Sequence, residues 1–525
     1  MERQGGVQMV PDESVDSPIV TTADGQVRGA VRDGISIYRG IPYGAPTSGA
    51  NRFRPPQPPD PWTGVRDARL YGDTAPQPRT WLAKGGFEGN RPEIGEDCLV
   101  LNVWTPGPAD ASRPVLVWLH GGGFEAGTGS MMLYDGVNMA RRGDVVVVTI
   151  NHRLGLMGHL HLADIIGDDF DRSVNAGFLD IVAALKWVQT NIAAFGGDPG
   201  NVTICGQSGG GRKVSLATAS PLASGLVHRG IVQSGSHLRL ITRERANELA
   251  ERLLHKLEIP ADQARRLQDL PMKDLLRAGR AVGRRFSPAV DDVVFGRHPW
   301  DPDAPPTAAS VPMMIGTCRT ELSNQLGTMD PATFDIGDDE LPDRLERFID
   351  RSDVDEAVRI VRSSTPNAPA SEVLFTIATA RGYWRDSVLQ TERKAAQAAG
   401  GGAPVWSYRV MWRTPVEDGR RVTPHSLDLP FMFDNVDMAP DMVGPATDET
   451  SAMADAMSES WLAFARTGDP NCGAVPEWAP YDLERRTVMH FDVPPLAVED
   501  PHRDERLFME RYPSQQEGRR GVLHR

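Results

Sequence analysis

The segment NVTICGQSGGGRKVSLATA, residues 201–219, decides the fold. An apolar, β-rich run (201–206) enters a glycine turn, and a helical run (213–219) leaves it. The turn reads GQSGG (206–210), a G-x-S-x-G pattern. Set between strand and helix, this pattern lifts a serine hydroxyl out at the carboxyl end of a sheet, and its glycines give the backbone room to bend so sharply. Ser208 is therefore the candidate nucleophile. A phosphate-binding loop, G-x-x-x-x-G-K-S/T, is the competing reading. It fails because Arg212 stands where lysine is required. Even with Lys213 in that role, Val214 stands where a magnesium-binding hydroxyl belongs.

Outward from this turn the pattern repeats. VLVWL (115–119) and VVVVTI (145–150) are continuous apolar runs, as expected of strands covered on both faces of a parallel sheet. Phe178, Ile181, Val182, Leu185, Val188 and Ile192 fall at helical spacing, so 177–194 reads as an amphipathic helix, ended by Gly196, Gly197 and Pro199. RGIVQ (229–233), PMMIGT (312–317) and VWSYRVMW (405–412) read as further strands, and 450–466 as a late helix. Strand, helix, strand in this order predicts an α/β fold with a central, mostly parallel sheet flanked by helices. Residues 243–282, polar and helical with breaks at Pro260 and Pro271, read as a helical insertion without a separate core. FRPPQPPDPW (53–62) reads as surface wrapping, since proline lacks the donor that helix or central strand needs. One domain is expected over 18–514, with a poorly ordered leader (1–17) and a tail (515–525).

Composition narrows the function. The net charge is −14, from 56 basic and 70 acidic residues. An acidic surface repels phosphate backbones and anionic headgroups, which argues against nucleic-acid or membrane partners. No apolar run reads as long enough to span a bilayer and no signal peptide is visible, so a cytoplasmic location is expected. The four cysteines, Cys98, Cys205, Cys318 and Cys472, are too scattered for a disulfide framework and read as free thiols.

The other parts of a serine hydrolase follow. HGGGF (120–124) comes directly after the VLVWL strand; its side-chain-free backbone offers N–H donors for the oxyanion of a tetrahedral intermediate, and the N–H of Gly209 is a further donor. His120 reads as a structural residue of that loop, because in this fold the base follows the nucleophile in the chain. The order serine, acid, histidine points to Glu321, in the loop after PMMI, with Asp291 and Asp292 as alternatives that no strong strand precedes. Among the later histidines, His490 lies in a strand-like run and His502 and His524 in polar segments. His425 lies in a loop that can reach both partners and is the candidate base. His159 and His161 lack a third ligand at metal-binding spacing. Neither metal nor cofactor is expected.

Together these motifs resemble the type-B carboxylesterase family, which includes the cholinesterases. The likeness spans about 21–512 and rests on YRGIPYGAP (38–46), NRFRPP (51–56), EDCLVLNVWTP (96–106), HGGGF, NHRLG (151–155), FGGDPGNVTICGQSGG, IVQSGS (231–236), GTCRTE and HSLDLPFMFDN (425–435). It implies an α/β-hydrolase fold and a Ser208, Glu321, His425 triad, with Gly122, Gly123 and Gly209 as oxyanion donors and Ser234 as a hydroxyl beside the triad. It also implies structural ion pairs between Arg52 and Glu96 and between Arg153 and Asp180, and places Glu125 near the entrance. This chain departs from the family at Gln207, where glutamate is usual, which weakens the case for a cationic substrate. It departs again at Gly209, where alanine is frequent, and at Cys98, which has no earlier cysteine to pair with. The expected activity is hydrolysis of a small carboxylic ester through an acyl-enzyme. The alternatives are a specialised ester, carbamate or amide on the same triad, and a non-catalytic binding protein on the same fold.

Overall fold

The computed structural model describes residues 15–78, 92–107, 111–283 and 286–516. Its strands are β1 (Val15–Asp16), β2 (Val20–Thr21), β3 (Gln26–Arg28), β4 (Ala30–Arg32), β5 (Ile35–Pro42), β6 (Val65–Asp67), β7 (Val100–Thr105), β8 (Arg113–Leu119), β9 (Val146–Ile150), β10 (Gly197–Gln207), β11 (Arg229–Gln233), β12 (Met313–Cys318), β13 (Val405–Val410), β14 (Thr487–Phe491) and β15 (Leu496–Glu499). Twelve of them form one sheet in the order β1-β4-β5-β7-β9-β8-β10-β11-β12-β13-β14-β15; β2, β3 and β6 form a small second sheet. From β9 to β14 every neighbouring pair is parallel. The flanks, β1 to β7 on one side and β15 on the other, are antiparallel.

Period-two alternation divides the buried strands between two cores. Val115, Val117, Leu119, Val202 and Ile204 face one side, where they pack on the helix α1 (Ala176–Asn191). Leu116, Trp118, Cys205 and Ile231 face the other and meet Met457, Trp461 and Phe464 of a late helix, Asp448–Thr467. Each large side chain so buried contributes about 1.5–3 kcal/mol.

Several expectations change. The sequence reading saw no bilayer-length run, yet Asp168–Phe195 is long and apolar enough by length and composition. Its centre is α1, which packs on the sheet and draws its apolar character from that burial. The insertion 243–282 buries its apolar side against the chain around it: Leu249, Leu253, Leu267 and Leu275 cluster with Leu156, Leu160 and Phe170. Phe53, expected in surface wrapping, is fully buried in that cluster. Another helical block, 323–384, gathers around Leu345, Val373, Leu374 and Phe375. Of the expected leader, 1–14 lie outside the described residues, while Val15 and Asp16 pair with Val31 and Ala30. Of the tail, 517–525 lie outside them. Gln516 is anchored: its amide accepts from the Leu238 N–H at 2.7 Å and donates to the Ser236 carbonyl at 2.7 Å. All four cysteines are free.

Candidate active site

Five chain segments leave the carboxyl ends of β8, β10, β11, β12 and β13 at one edge of the sheet, where open α/β sheets place their sites. At the end of β10, Ser208 adopts φ 58° and ψ −121° and begins the helix α2 (Gly209–Ala219). A non-glycine residue held there stores about 1–3 kcal/mol of strain. Its side chain does not cap the helix, so the hydroxyl is not committed to a backbone N–H. The Ser208 N–H donates to the Gln233 carbonyl at 2.8 Å, pinning the turn to β11.

The HGGG loop lies against this turn. Gly122 and Gly123 have φ of 91° and 65°, which favour glycine. A Cβ on Gly209 would come within 2.3 Å of the Gly123 nitrogen, so the two backbones touch. The N–H of Gly209 belongs to the first turn of α2, where helical donors lack an intrahelical partner. His120 is buried; its Nδ1 lies 2.9 Å from the Gly121 carbonyl, and its ring stacks on His152 at 4.8 Å. Burial, with nearby Lys213, holds its pKa well below the ordinary histidine value.

Glu321 follows β12 and is fully buried, and His425 lies in the loop after β13. Their partnership is direct: His425 Nδ1 donates to Glu321 Oε2 at 2.5 Å, and Glu321 Oε1 accepts from the Cys318 N–H at 2.6 Å. Two further bonds stitch the loops together. The Thr320 N–H donates to the Thr423 carbonyl at 3.1 Å, and the Thr423 N–H to Thr320 Oγ at 2.8 Å. Burial disfavours the imidazolium of His425, but Tyr383, Glu321 and Asp428 outweigh it and raise its pKa to about 9. The Gln207 amide nitrogen lies 3.3 Å from Nδ1 and 3.2 Å from Nε2 of that ring.

Not every candidate joins the cluster through a hydrogen bond. The Ser208 hydroxyl makes none with the described residues. Ser234 is buried next to the Ser208 turn, with φ 50°, and its Oγ has no hydrogen-bond partner among the described residues. Asp291 is spent on Asn175 and on the N–H groups of Val294 and Phe295. His490 and His502 stack on each other at 5.6 Å. His159 Nδ1 lies 3.0 Å from the Val174 carbonyl, and His161 pairs with Asp164 at 2.9 Å. His524 lies outside the described residues. Glu125 is half-buried beside the loop. Both ion pairs implied by the resemblance are present, at 2.6 Å each.

The model of the carboxylesterase family matches residues 16–509. The chain belongs to the carboxylesterase family. This carboxylesterase is 36% identical to the para-nitrobenzyl esterase of Bacillus subtilis over 498 residues, covering 93% of this chain and 97% of that one. It is 32% identical to the phenmedipham hydrolase of Pseudarthrobacter oxydans, covering 90% and 94%. A crystal structure of a Geobacillus stearothermophilus carboxylesterase superposes with a TM-score of 0.81 at 38% identity, covering 94% and 99%. The α/β-hydrolase fold and the class of hydrolase agree with the sequence reading.

Three residues of this carboxylesterase site were not singled out in the sequence. Asp428 is fully buried and hydrogen-bonds the Gln233 amide at 2.8 Å; burial raises its pKa to about 6. The signal was present, three positions after His425 in HSLDL, but a one-turn spacing alone does not mark a carboxylate as facing the site. Tyr383 packs on the His425 ring at 5.0 Å from a segment whose helices were not read. Lys213, buried in α2, donates to the His120 carbonyl at 2.9 Å.

Proposed function

We propose that this carboxylesterase hydrolyses small, uncharged carboxylic esters by two-step acyl transfer on Ser208, His425 and Glu321. The observation that carries the reading is the 2.5 Å bond between His425 and Glu321, at the same end of the sheet as the strained Ser208 turn. Glu321 holds Nδ1 protonated, which leaves Nε2 to accept a proton. His425 takes the proton of Ser208 as Oγ attacks the ester carbonyl, a contact that tightens when substrate binds. The N–H groups of Gly122, Gly123 and Gly209 stabilise the oxyanion, helped by the positive end of α2. The imidazolium protonates the leaving alkoxide. Water, deprotonated by His425, then releases the acid and restores Ser208. Gln207 places a neutral amide against the ring, which supports an uncharged substrate over a cationic one.

Ser208→Ala is expected to lower kcat on a p-nitrophenyl acyl ester by about 10⁴-fold or more, and to abolish labelling by an organophosphate. A folded Ser208→Ala protein with near-normal turnover would overturn the assignment. Phenmedipham, named in the Pseudarthrobacter relative, belongs in the substrate panel beside esters of graded acyl and alcohol size.

A further inference from the structure

The carbonyls of His120, Gly121 and Gly122, which run through the HGGG loop, are each held. Gly122 O accepts from the N–H of Glu125 at 3.3 Å and of Ala126 at 3.1 Å, and Gly121 O faces His120 Nδ1 at 2.9 Å. His120 O accepts from Lys213 Nζ at 2.9 Å. Two of these braces come from the loop itself; only the third comes from the helix that begins at Ser208. Lys213 is fully buried, and no ion pair links it to a carboxylate among the described residues. A lysine is rarely buried without one. It stands one turn after Gly209, on the same face of α2, and a Cβ on the intervening Gly210 would come within 1.9 Å of the Leu119 carbonyl. The helix therefore meets the loop backbone to backbone at its glycines and side chain to backbone at Lys213.

A run of three glycines has the greatest freedom to lose when it is fixed, and oxyanion donors act through being fixed beforehand. We propose that Lys213 is a positioning residue for the oxyanion loop: by clamping the His120 carbonyl it holds the Gly122 and Gly123 N–H groups in register with Ser208. The inference rests on the proposed function and deepens it. Burial, with Arg212, drives the Lys213 pKa well below its ordinary value. Amine and ammonium both donate, however, so the clamp works in either state.

Lys213→Met and Lys213→Gln, made in the full chain, test it; Met removes the donor and Gln retains one. Each is assayed for kcat and KM on a p-nitrophenyl ester, and for affinity toward a trifluoromethyl ketone, whose adduct with serine carries an oxyanion. The Met variant is expected to lose about 10–100-fold in kcat with KM within about threefold, and ketone affinity is expected to fall in parallel with kcat/KM. Gln is expected to lose less on both counts. The clamp is overturned if Met leaves both measures unchanged, if Met and Gln lose equally, or if neither variant folds. Ser208→Ala separates the two claims. An inactive Ser208→Ala beside an unaffected Lys213→Met overturns only the clamp, whereas an active Ser208→Ala overturns the site.

Discussion

At the scale of single residues, His425, the proposed base, sits under two carboxylates. Glu321 touches His425, and Asp428 acts from three positions along the chain; both raise the imidazole pKa. The free enzyme needs His425 neutral, so kcat/KM is expected to rise with pH through that raised pKa. Its acid limb should then lie above the ordinary histidine value of about 6.5. Asp428→Asn removes one negative charge, makes the imidazolium easier to deprotonate, and should move the limb to lower pH by on the order of one unit. A pH profile of kcat/KM reads this directly; a limb that stays in place or moves upward rules out the coupling. Ser208, Glu321 and His425 were legible as candidates because each follows a strand in the chain order serine, acid, histidine, and the bond between His425 and Glu321 joins two of them. Asp428 and Lys213 were not, because their roles depend on contacts across 195 and 93 positions of chain.

At the scale of elements, G-x-S-x-G marks a place where three backbones meet. A Cβ on Gly206 would come within 2.5 Å of the Gly210 carbonyl carbon and 2.6 Å of the Leu119 carbonyl. The first and last glycines of the motif thus face each other beneath the end of β8. The outer glycines were legible as a motif, but the partner surface was not, since Leu119 belongs to a strand nearly ninety positions earlier. Gly210→Ala forces backbone to move, with no flexible side chain to yield. It is expected to cost about 1–3 kcal/mol of stability and to lower kcat with it, because the shifted strand end carries the HGGG loop of the proposed oxyanion donors. Gly473→Ala, where a Cβ meets nothing within 4 Å, is the matched control and should leave both unchanged. Equal behaviour of the two variants in thermal melts and ester assays would refute the account.

At the scale of the whole molecule, the parallel half of the sheet was readable because its strands are unbroken apolar runs between glycine and proline breaks. The antiparallel side was not: β5 carries Arg39, Gly40 and Pro42 within one strand, and its pairing with β7 shifts register between Tyr38 and Ile41. The helical block 323–384 escaped because its apolar residues pack on one another and not on the sheet. Distant segments are fastened by buried charge. The Arg153 side chain holds Asp180 at 2.6 and 2.8 Å, and also donates to the Arg54 carbonyl at 2.7 Å. It joins the loop after β9 to α1 and to the start of the Pro-rich run. Both side chains are almost wholly buried, at 1% and 0% exposed, so removing either strands the other without water. Asp180→Leu and Arg153→Met are each expected to cost about 3–5 kcal/mol. Arg153→Met with Asp180→Leu should cost clearly less than the sum, because no charge is left unpaired. Urea midpoints of the four proteins close the cycle. Single variants within about 1 kcal/mol of the parent would show that packing, and not this pair, fastens the three segments.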